Sequence, residues 1–252
     1  ETLAQWRKNG AQKSRIWERY LKEIKEPVLG EKFAEFIGAY IGDGTKTSHV
    51  INIYNDRIYG IPYLTYLQKL VEEITGLNPK IVIPKNEAYC AYLKIYSKKL
   101  SDYLTSLGLK NGNKIRNNTT IPKVIAENEL LTKACLRGLM DTDGSVSRRD
   151  DYMCLAFGSR IPDLLKQVFK LGQDLEVFSY ISKEQTGTNS WKKIERFYEL
   201  IGSSNLVHII RFNERRLNGK RLYKHEVLKY FPEYMTLILP FRTRGLAVMT
   251  SP

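Results

Sequence analysis

Apolar side chains crowd nearly every position from 32 to 43, which predicts a helix buried on all sides and stopped by Gly44 in the left-handed conformation. Residues 49–54 then alternate apolar and polar, the mark of a half-exposed strand. Pro62 opens a second helix whose Leu64, Leu67, Leu70, Val71 and Ile74 share one face, with Gly76 as its stop. Residues 80–83 and 89–96 read as a pair of strands, the second with Ala91, Leu93 and Ile95 inward and Tyr92, Lys94 and Tyr96 outward. A helix over 100–107 closes the unit.

The same order is then written again. Phe36-Ile37-Gly38-Ala39-Tyr40-Ile41-Gly42-Asp43-Gly44 finds its counterpart 100 residues later in Leu136-Arg137-Gly138-Leu139-Met140-Asp141-Thr142-Asp143-Gly144. That offset also aligns Ile61-Pro62 and Leu64 with Ile161-Pro162 and Leu164, and Ile81 with Ile181. An offset of 106 aligns Ser97 with Ser203, Leu100 with Leu206 and Lys114 with Lys220, which predicts a longer loop at residues 185–190 and a fourth strand around Glu199. The expected organisation is therefore a basic N-terminal extension (1–30), a first unit (31–108), a linker (109–129), a second unit (130–230) and a C-terminal tail (231–252). The fold class is α+β, two pseudo-symmetric αββαββα units.

Charge narrows the class of partner. Forty Lys+Arg stand against 27 Asp+Glu, a net charge of +13 over 252 residues, and a chain this basic suits a polyanion. Residues 1–30 hold seven Lys/Arg against four Asp/Glu, and residues 211–229 hold seven against two, a run that suits phosphate contact or a solvated helix face. No apolar run reaches membrane-spanning length and the start carries no secretion-like apolar stretch, so an intracellular protein is expected. Three widely spaced cysteines point to reduced thiols, and three histidines show no metal-ligand spacing.

The repeat also carries the candidate chemistry. A helix ends on unpaired carbonyls at the negative pole of its dipole, so a carboxylate there is costly unless a cation sits beside it. Asp43 and Asp143, brought together by a pseudo-twofold, would offer hard oxygen donors for Mg²⁺, with Gly42 and Thr142 beside them. Gly38 and Gly138, five residues before each aspartate, would let the two helix backbones approach. The alternative is that each Asp-Gly merely turns the chain out of a helix.

These residues resemble the LAGLIDADG homing endonuclease family, of whose motif 36–44 and 136–144 look like two divergent copies within a resemblance covering about residues 31–230. Gly42, Thr142 and Arg137 depart from the motif's small-residue consensus, and Asp141 matches its other acidic position, read here as structural. The resemblance implies an intron-encoded, double-motif monomer whose units pack through the motif helices. It implies saddle-shaped antiparallel sheets in the major groove of a long, roughly pseudo-palindromic double-stranded DNA target, and no membrane. It also implies hydrolysis of a phosphodiester in each strand across the minor groove by Asp43 and Asp143 with Mg²⁺; Mn²⁺ would substitute, and Ca²⁺ would bind without supporting cleavage. Lys114 and Lys220 resemble the family's active-site lysines, although each also reads as a phosphate anchor or a solvated side chain. Water-ordering groups are expected near Tyr54, Asn55 and Gly158. Outward strand positions are the candidate DNA readers: Asn52, Tyr54, Lys80, Tyr92, Lys94 and Tyr96, then Arg148, Arg149, Tyr180, Ser182 and Lys183.

The rival reading keeps the fold and drops cleavage, giving an RNA-binding maturase or a DNA-binding regulator; relatives of that kind often lose one acidic motif end, whereas both stand here. The residues at 1 and 250–252 lack splicing character, which weighs against an intein-embedded endonuclease. Pro162-Asp163 lacks the Asp/Glu-x-Lys of a restriction-type site.

Overall fold

The computed structural model describes residue 5 and residues 24–25, 27–85, 89–149 and 151–232. Most of the N-terminal extension and nearly all of the C-terminal tail therefore lie outside the described residues. The first unit runs α1 (Glu31–Asp43), β1 (Gly44–Lys46), β2 (Val50–Asp56), α2 (Ile61–Thr75), β3 (Lys80–Val82), β4 (Cys90–Tyr96) and α3 (Lys98–Ser106). A short α4 (Lys123–Ala126) lies in the linker. The second unit runs α5 (Glu129–Thr142), β5 (Gly144–Arg149), β6 (Tyr152–Gly158), α6 (Pro162–Asp174), β7 (Tyr180–Ile181), β8 (Gln185–Thr188) and α7 (Trp191–Leu200). Beyond the repeat come α8 (Leu206–Asn218) and a 3₁₀ helix (Lys224–Tyr230). Each unit is thus αββαββα, with one antiparallel four-stranded sheet, ordered β1-β2-β4-β3 in the first and β5-β6-β8-β7 in the second.

Local signals explain the ends of these elements. Ser97 caps α3 by accepting the Leu100 N–H at 3.1 Å, and Asn128 caps α5 by accepting that of Leu131 at 3.1 Å. Gly76 ends α2 with φ 70°. Gly44 departs from expectation: with φ −85° and ψ 151° it is extended, because the chain passes from α1 directly into β1 without a left-handed cap.

The two motif helices form the centre of the molecule. Phe33, Phe36, Ile37 and Ala39 on α1 are fully buried, and Leu136 and Leu139 on α5 join them in one core with the inner faces of both sheets. A Cβ on Gly38 would overlap the Cys135 carbonyl oxygen and come within 2.9 Å of the Leu139 nitrogen; one on Gly138 would overlap the Glu35 carbonyl oxygen. Only glycine admits this backbone-to-backbone approach. Asp141 is structural: it accepts the hydroxyl of Ser203 and the Ser204 N–H at 2.6 Å, tying the start of α8 to α5. Arg137 on α5 reaches the buried Glu35 on α1 at 2.8 Å, and Tyr66 and Ser204 also donate to that carboxylate.

Strand registers correct the expected repeat. Ile81 and Ile181 occupy the same place, opposite Leu93 and Thr186, so the offset of 100 holds there. Leu93 and Thr186 are themselves equivalent, since one pairs with Ile53 opposite Gly44 and the other with Phe157 opposite Gly144. They lie 93 residues apart, so the second copy has a shorter β7–β8 turn and no added loop. Residues 185–188 are its fourth strand, and Glu199 lies on α7. The true partner of Ser97 is Ser190, which precedes α7 as Ser97 precedes α3.

No helix among the described residues is long and apolar enough to cross a membrane. Cys135 and Cys154 are buried free thiols, and Cys90 is half-buried and free.

Candidate active site and nucleic-acid interface

Because α1 and α5 are locked side by side, their C-termini end together. Gly42 and Thr142 face each other so closely that a Cβ on Gly42 would overlap the Thr142 hydroxyl. One residue further, the carboxyls of Asp43 and Asp143 are hydrogen-bonded to one another. Burial raises the pKa of Asp43 above the usual carboxylate range, against the pull of Lys114 and the hydrogen bond from Asp143. Burial, and then the charge of Asp43, push Asp143 up to about 7, with Lys114 opposing. The pair therefore shares a proton near neutrality, carried by Asp143 as donor.

Lys114 is the one cation that bears on both carboxyls among the described residues. Its ammonium donates to the carbonyls of Tyr40 (3.4 Å), Ile41 (2.7 Å) and Gly42 at the end of α1, where the Tyr40 carbonyl also accepts the Gly44 N–H. Burial lowers its pKa, while Asp143 and Asp43 raise it. Lys220 does not take the matching place. Its side chain is 57% exposed, with the ammonium 3.8 Å from Glu214 and 5.9 Å from the Tyr230 ring centre. At the end of α5 it is Asn205 that donates to a carbonyl, that of Asp141, at 2.9 Å. The similarity of Asn111-Gly112-Asn113-Lys114 to Asn218-Gly219-Lys220 reflects two turns with left-handed glycines, φ 90° at Gly112 and 66° at Gly219.

The donor set suits a hard divalent cation: two adjacent carboxyls, one still protonated near neutrality, are short of positive charge. Among the described residues no cluster of three or more His, Cys, Asp or Glu converges. That is compatible with Mg²⁺, which binds one or two carboxylates and completes its shell with water and phosphate oxygens. Gly42 and Thr142 are less available than expected. The carbonyl of Gly42 is engaged by Lys114, and the Thr142 hydroxyl donates to its own helix at Gly138 (3.0 Å) and Leu139 (3.1 Å).

The outer faces of the sheets are settled by register. Lys80, Lys94 and Asn52 stand side by side across the first sheet, as do Tyr92 and Tyr54, whose rings lie 5.2 Å apart. The Lys94 ammonium lies 5.0 Å from the centre of the Tyr96 ring, on the same face. The Asn52 Oδ1 is buried there, and among the described residues no hydrogen-bond donor reaches it. In the second sheet Arg149 and Tyr180 face outward, next to the small residues Cys154, Ala156 and Gly187. Arg148 does not: it shares the parity of the buried Val146, and its guanidinium stacks 4.7 Å from the Tyr223 ring centre on the helix side. Ser182 and Lys183 lie in the β7–β8 turn, which the Ser182 hydroxyl closes onto Gln185 at 3.1 Å. Ser145, Ser147, Tyr152 and Gln185, which alternation along the chain did not single out, are put on the same outer face by the pairing.

A cleft of about 410 Å³ opens beside the carboxyl pair, lined by Lys114, Ile115, Asp143, Gly158, Ser159, Arg160 and Glu184 among others. Ser159, Arg160 and Glu184 were not legible as site residues, since loop positions carry no periodicity.

Comparison with known proteins agrees with this architecture. The LAGLIDADG-like domain family matches residues 130–215. An A-type ATP synthase polypeptide of Pyrococcus abyssi is 34% identical over 133 residues, 52% of this chain; the match spans only 12% of that relative's length. The structure of the homing endonuclease I-WcaI bound to its DNA recognition sequence superposes with a TM-score of 0.50 at 14% identity, covering 70% of this chain and 83% of its own. Full-length DUF199/WhiA from Thermotoga maritima gives a TM-score of 0.50 at 15% identity, covering 88% of this chain and 72% of its own. At such identities the structural likeness is one of fold. Residues 130–215 thus form a LAGLIDADG-like domain, and residues 31–106 repeat its αββαββα architecture against it through the paired Asp-Gly helices.

Proposed function

We propose that this protein is a site-specific DNA endonuclease that hydrolyses one phosphodiester in each strand of a duplex, acting as a monomer with a divalent metal. The fold alone does not select this reading, since I-WcaI and DUF199/WhiA share it. The observation that carries it is the juxtaposition of Asp43, half-buried, and Asp143, which keeps an exposed face to the cleft: two carboxyls in hydrogen-bonding contact, one held up to about 7. A merely structural turn gains nothing from setting two like-charged acids in contact, and each would be less costly as asparagine.

Asp43 and Asp143 are the residues that would hold the metal. A divalent ion, Mg²⁺ by the donor set, would supply Lewis-acid stabilisation of phosphoryl charge and lower the pKa of a hydrolytic water. For this Asp143 must first release its shared proton. Lys114, half-buried next to both carboxyls and fixed by three carbonyls, would place a positive charge where phosphoryl charge develops. The two outer sheet faces differ, with Tyr, Lys and Asn on the first and Arg, Tyr and small residues on the second. The two half-sites of the DNA would accordingly differ, giving a target only roughly palindromic.

Asp43→Asn and Asp143→Asn keep the shape and remove the charge. In a supercoiled plasmid library with randomised inserts and Mg²⁺, the unsubstituted protein should yield linear product. Each variant should lose cleavage by orders of magnitude while retaining DNA binding in Ca²⁺. Near-normal linearisation by either variant overturns the assignment, and binding without cleavage by the unsubstituted protein would favour a regulator or maturase.

A further inference from the structure

The two hairpins that follow the motif helices differ in length. β1 spans only Gly44–Lys46, and the chain then turns back at Thr47, whose N–H donates to the Val50 carbonyl at 2.9 Å. β5 continues from Gly144 to Arg149 before β6 returns from Tyr152. Gly44 and Gly144 start the two strands at equivalent places, opposite Ile53 and Phe157. The second hairpin is therefore longer by three paired positions, about 10 Å at the rise of a strand. These last pairs, Ser147–Cys154, Arg148–Met153 and Arg149–Tyr152, lie beyond β8, whose pairing with β6 starts at Leu155. In the first sheet β4 runs beside β2 for its whole length. Only the second sheet thus carries a two-stranded ribbon that projects past its four-stranded body.

A bare two-stranded ribbon is marginally stable, and its open edge offers unpaired carbonyls. The segment that follows the repeat lies along that edge. Arg211 on α8 donates to the Val146 carbonyl of β5 at 2.6 Å and to that of Leu222 at 3.2 Å. Arg148 rests its guanidinium on the Tyr223 ring, and Arg221 approaches Asp151 in the ribbon's turn at 3.9 Å. Tyr223 is itself fixed: its N–H donates to Glu226 at 2.7 Å, at the start of the 3₁₀ helix whose Val227 is fully buried. The ribbon is held in place before any partner arrives. Its outward face presents Ser147, Arg149 and Tyr152, and the last two are exposed.

We propose that this braced ribbon lengthens one half-site of the DNA by about three base pairs, with Arg149 reading the outermost of them. The proposal rests on the reading of the outer sheet faces as duplex-binding surfaces. A two-stranded antiparallel ribbon fits the major groove, and at about 3.4 Å per base pair a projection of about 10 Å covers about three steps. A guanidinium at its end can bond O6 and N7 of a guanine together. Asp150 and Asp151, which follow Arg149 in the chain, weaken the pull of this end on phosphates, which suits base reading over a grip on the backbone. The first unit has no match for it: Thr47-Ser48-His49, between β1 and β2, holds no Lys or Arg.

The test reads the bound sequence without requiring cleavage. Duplexes with a long random stretch are selected for binding in Ca²⁺ and sequenced. The motif should be off-centre about its own pseudo-dyad, one half longer by about three base pairs. Lys94→Ala, on the first sheet, should blur the shorter half, which assigns the halves to the units. Arg149→Ala should lower the preference at the outermost positions of the longer half by about tenfold and leave the rest intact. Because Arg149 is exposed, this variant should keep the parent's Tm. Tyr223→Ala, which unseats Arg148, should blur the same outer positions, and Tyr223→Phe, which keeps the ring, should restore them. Ser48→Ala, in the shorter hairpin's turn, should change nothing. Halves of equal length, or a parent-like motif for Arg149→Ala, overturn the proposal, and a parent-like motif for Tyr223→Ala overturns the bracing. Adding Mg²⁺ to the selected duplex separates the two claims. A motif with one long half that is never cut defeats the endonuclease reading and leaves the ribbon's assignment standing, whereas enrichment of no sequence defeats both.

Discussion

Replacing Gly38 by alanine sets two effects against each other. In an exposed helix, Gly→Ala is stabilising by about 1 kcal/mol through backbone entropy. Here the new methyl would overlap the Cys135 carbonyl oxygen and come within 2.9 Å of the Leu139 nitrogen, and neither is a side-chain end that can rotate away. The helices would have to separate, loosening contacts along α1 and α5, and overpacking of this kind costs about 1–3 kcal/mol or more. At the upper end of that range, since both clashing atoms are backbone, and less the gain of about 1 kcal/mol, a net destabilisation of about 2 kcal/mol is expected, a fall in Tm of about 4–8 °C for a domain of this size. Gly138→Ala, facing the Glu35 carbonyl, should behave alike. The double variant should cost less than the sum, because helices already parted admit the second methyl. Gly158→Ala is the control: its Cβ would meet only the Glu184 carbonyl oxygen at 3.7 Å, an ordinary contact. Differential scanning fluorimetry reads all four. A Gly38→Ala protein as stable as the parent would refute the close backbone approach, and with it the reason that Asp43 and Asp143 meet.

Three further outcomes follow from the same geometry. The folded-state pKa of Asp143 is raised from 3.8 to about 7, so the fold holds a proton that the unfolded chain releases; this stabilisation is full below about pH 4 and is lost as pH rises through about 7. The Tm of metal-free protein should therefore fall from about pH 5 to 8 more steeply than that of Asp143→Asn; identical slopes would contradict the shift. Lys114→Met should depress cleavage far more than DNA affinity, whereas Lys220→Met should barely touch catalysis, and equal kinetic losses would restore the equivalence that the structure rejects. Arg137→Met strands Glu35, which is 1% exposed, and should cost about 3–5 kcal/mol in urea unfolding, much of it recovered by adding Glu35→Leu; no recovery would mean that Arg137 acts through packing.

What the sequence made legible was whatever repeats with a period. The α1 and α5 helices, their glycines and their terminal aspartates share one offset and one burial pattern, so the fold and the carboxyl pair could both be read from residues. Beyond Ile181 the copies diverge. The β7–β8 turn is shortened and α8 follows α7, so Ser203, Leu206 and Lys220 match Ser97, Leu100 and Lys114 in residue type without matching them in place. The parity of Arg148 was readable from its neighbour Val146, but the stacking on Tyr223 that draws it to the helix side comes from 75 residues further along the chain. Arg160, Glu184 and Asn205 sit in loops and caps, where placement is decided by tertiary neighbours.

The unlike ends of the two motif helices bear on the history of such a chain. One terminus is closed by the ammonium of Lys114 and the other by the neutral amide of Asn205. Two copies of the first unit with its linker, joined head to head, would bring two lysines to the carboxyls; two copies of the second unit would bring none. Neither symmetric ancestor can be rebuilt by cutting this chain in half and letting a half pair with itself. With a lysine at one end and an asparagine at the other, each half depends on its unlike partner for the site they form together.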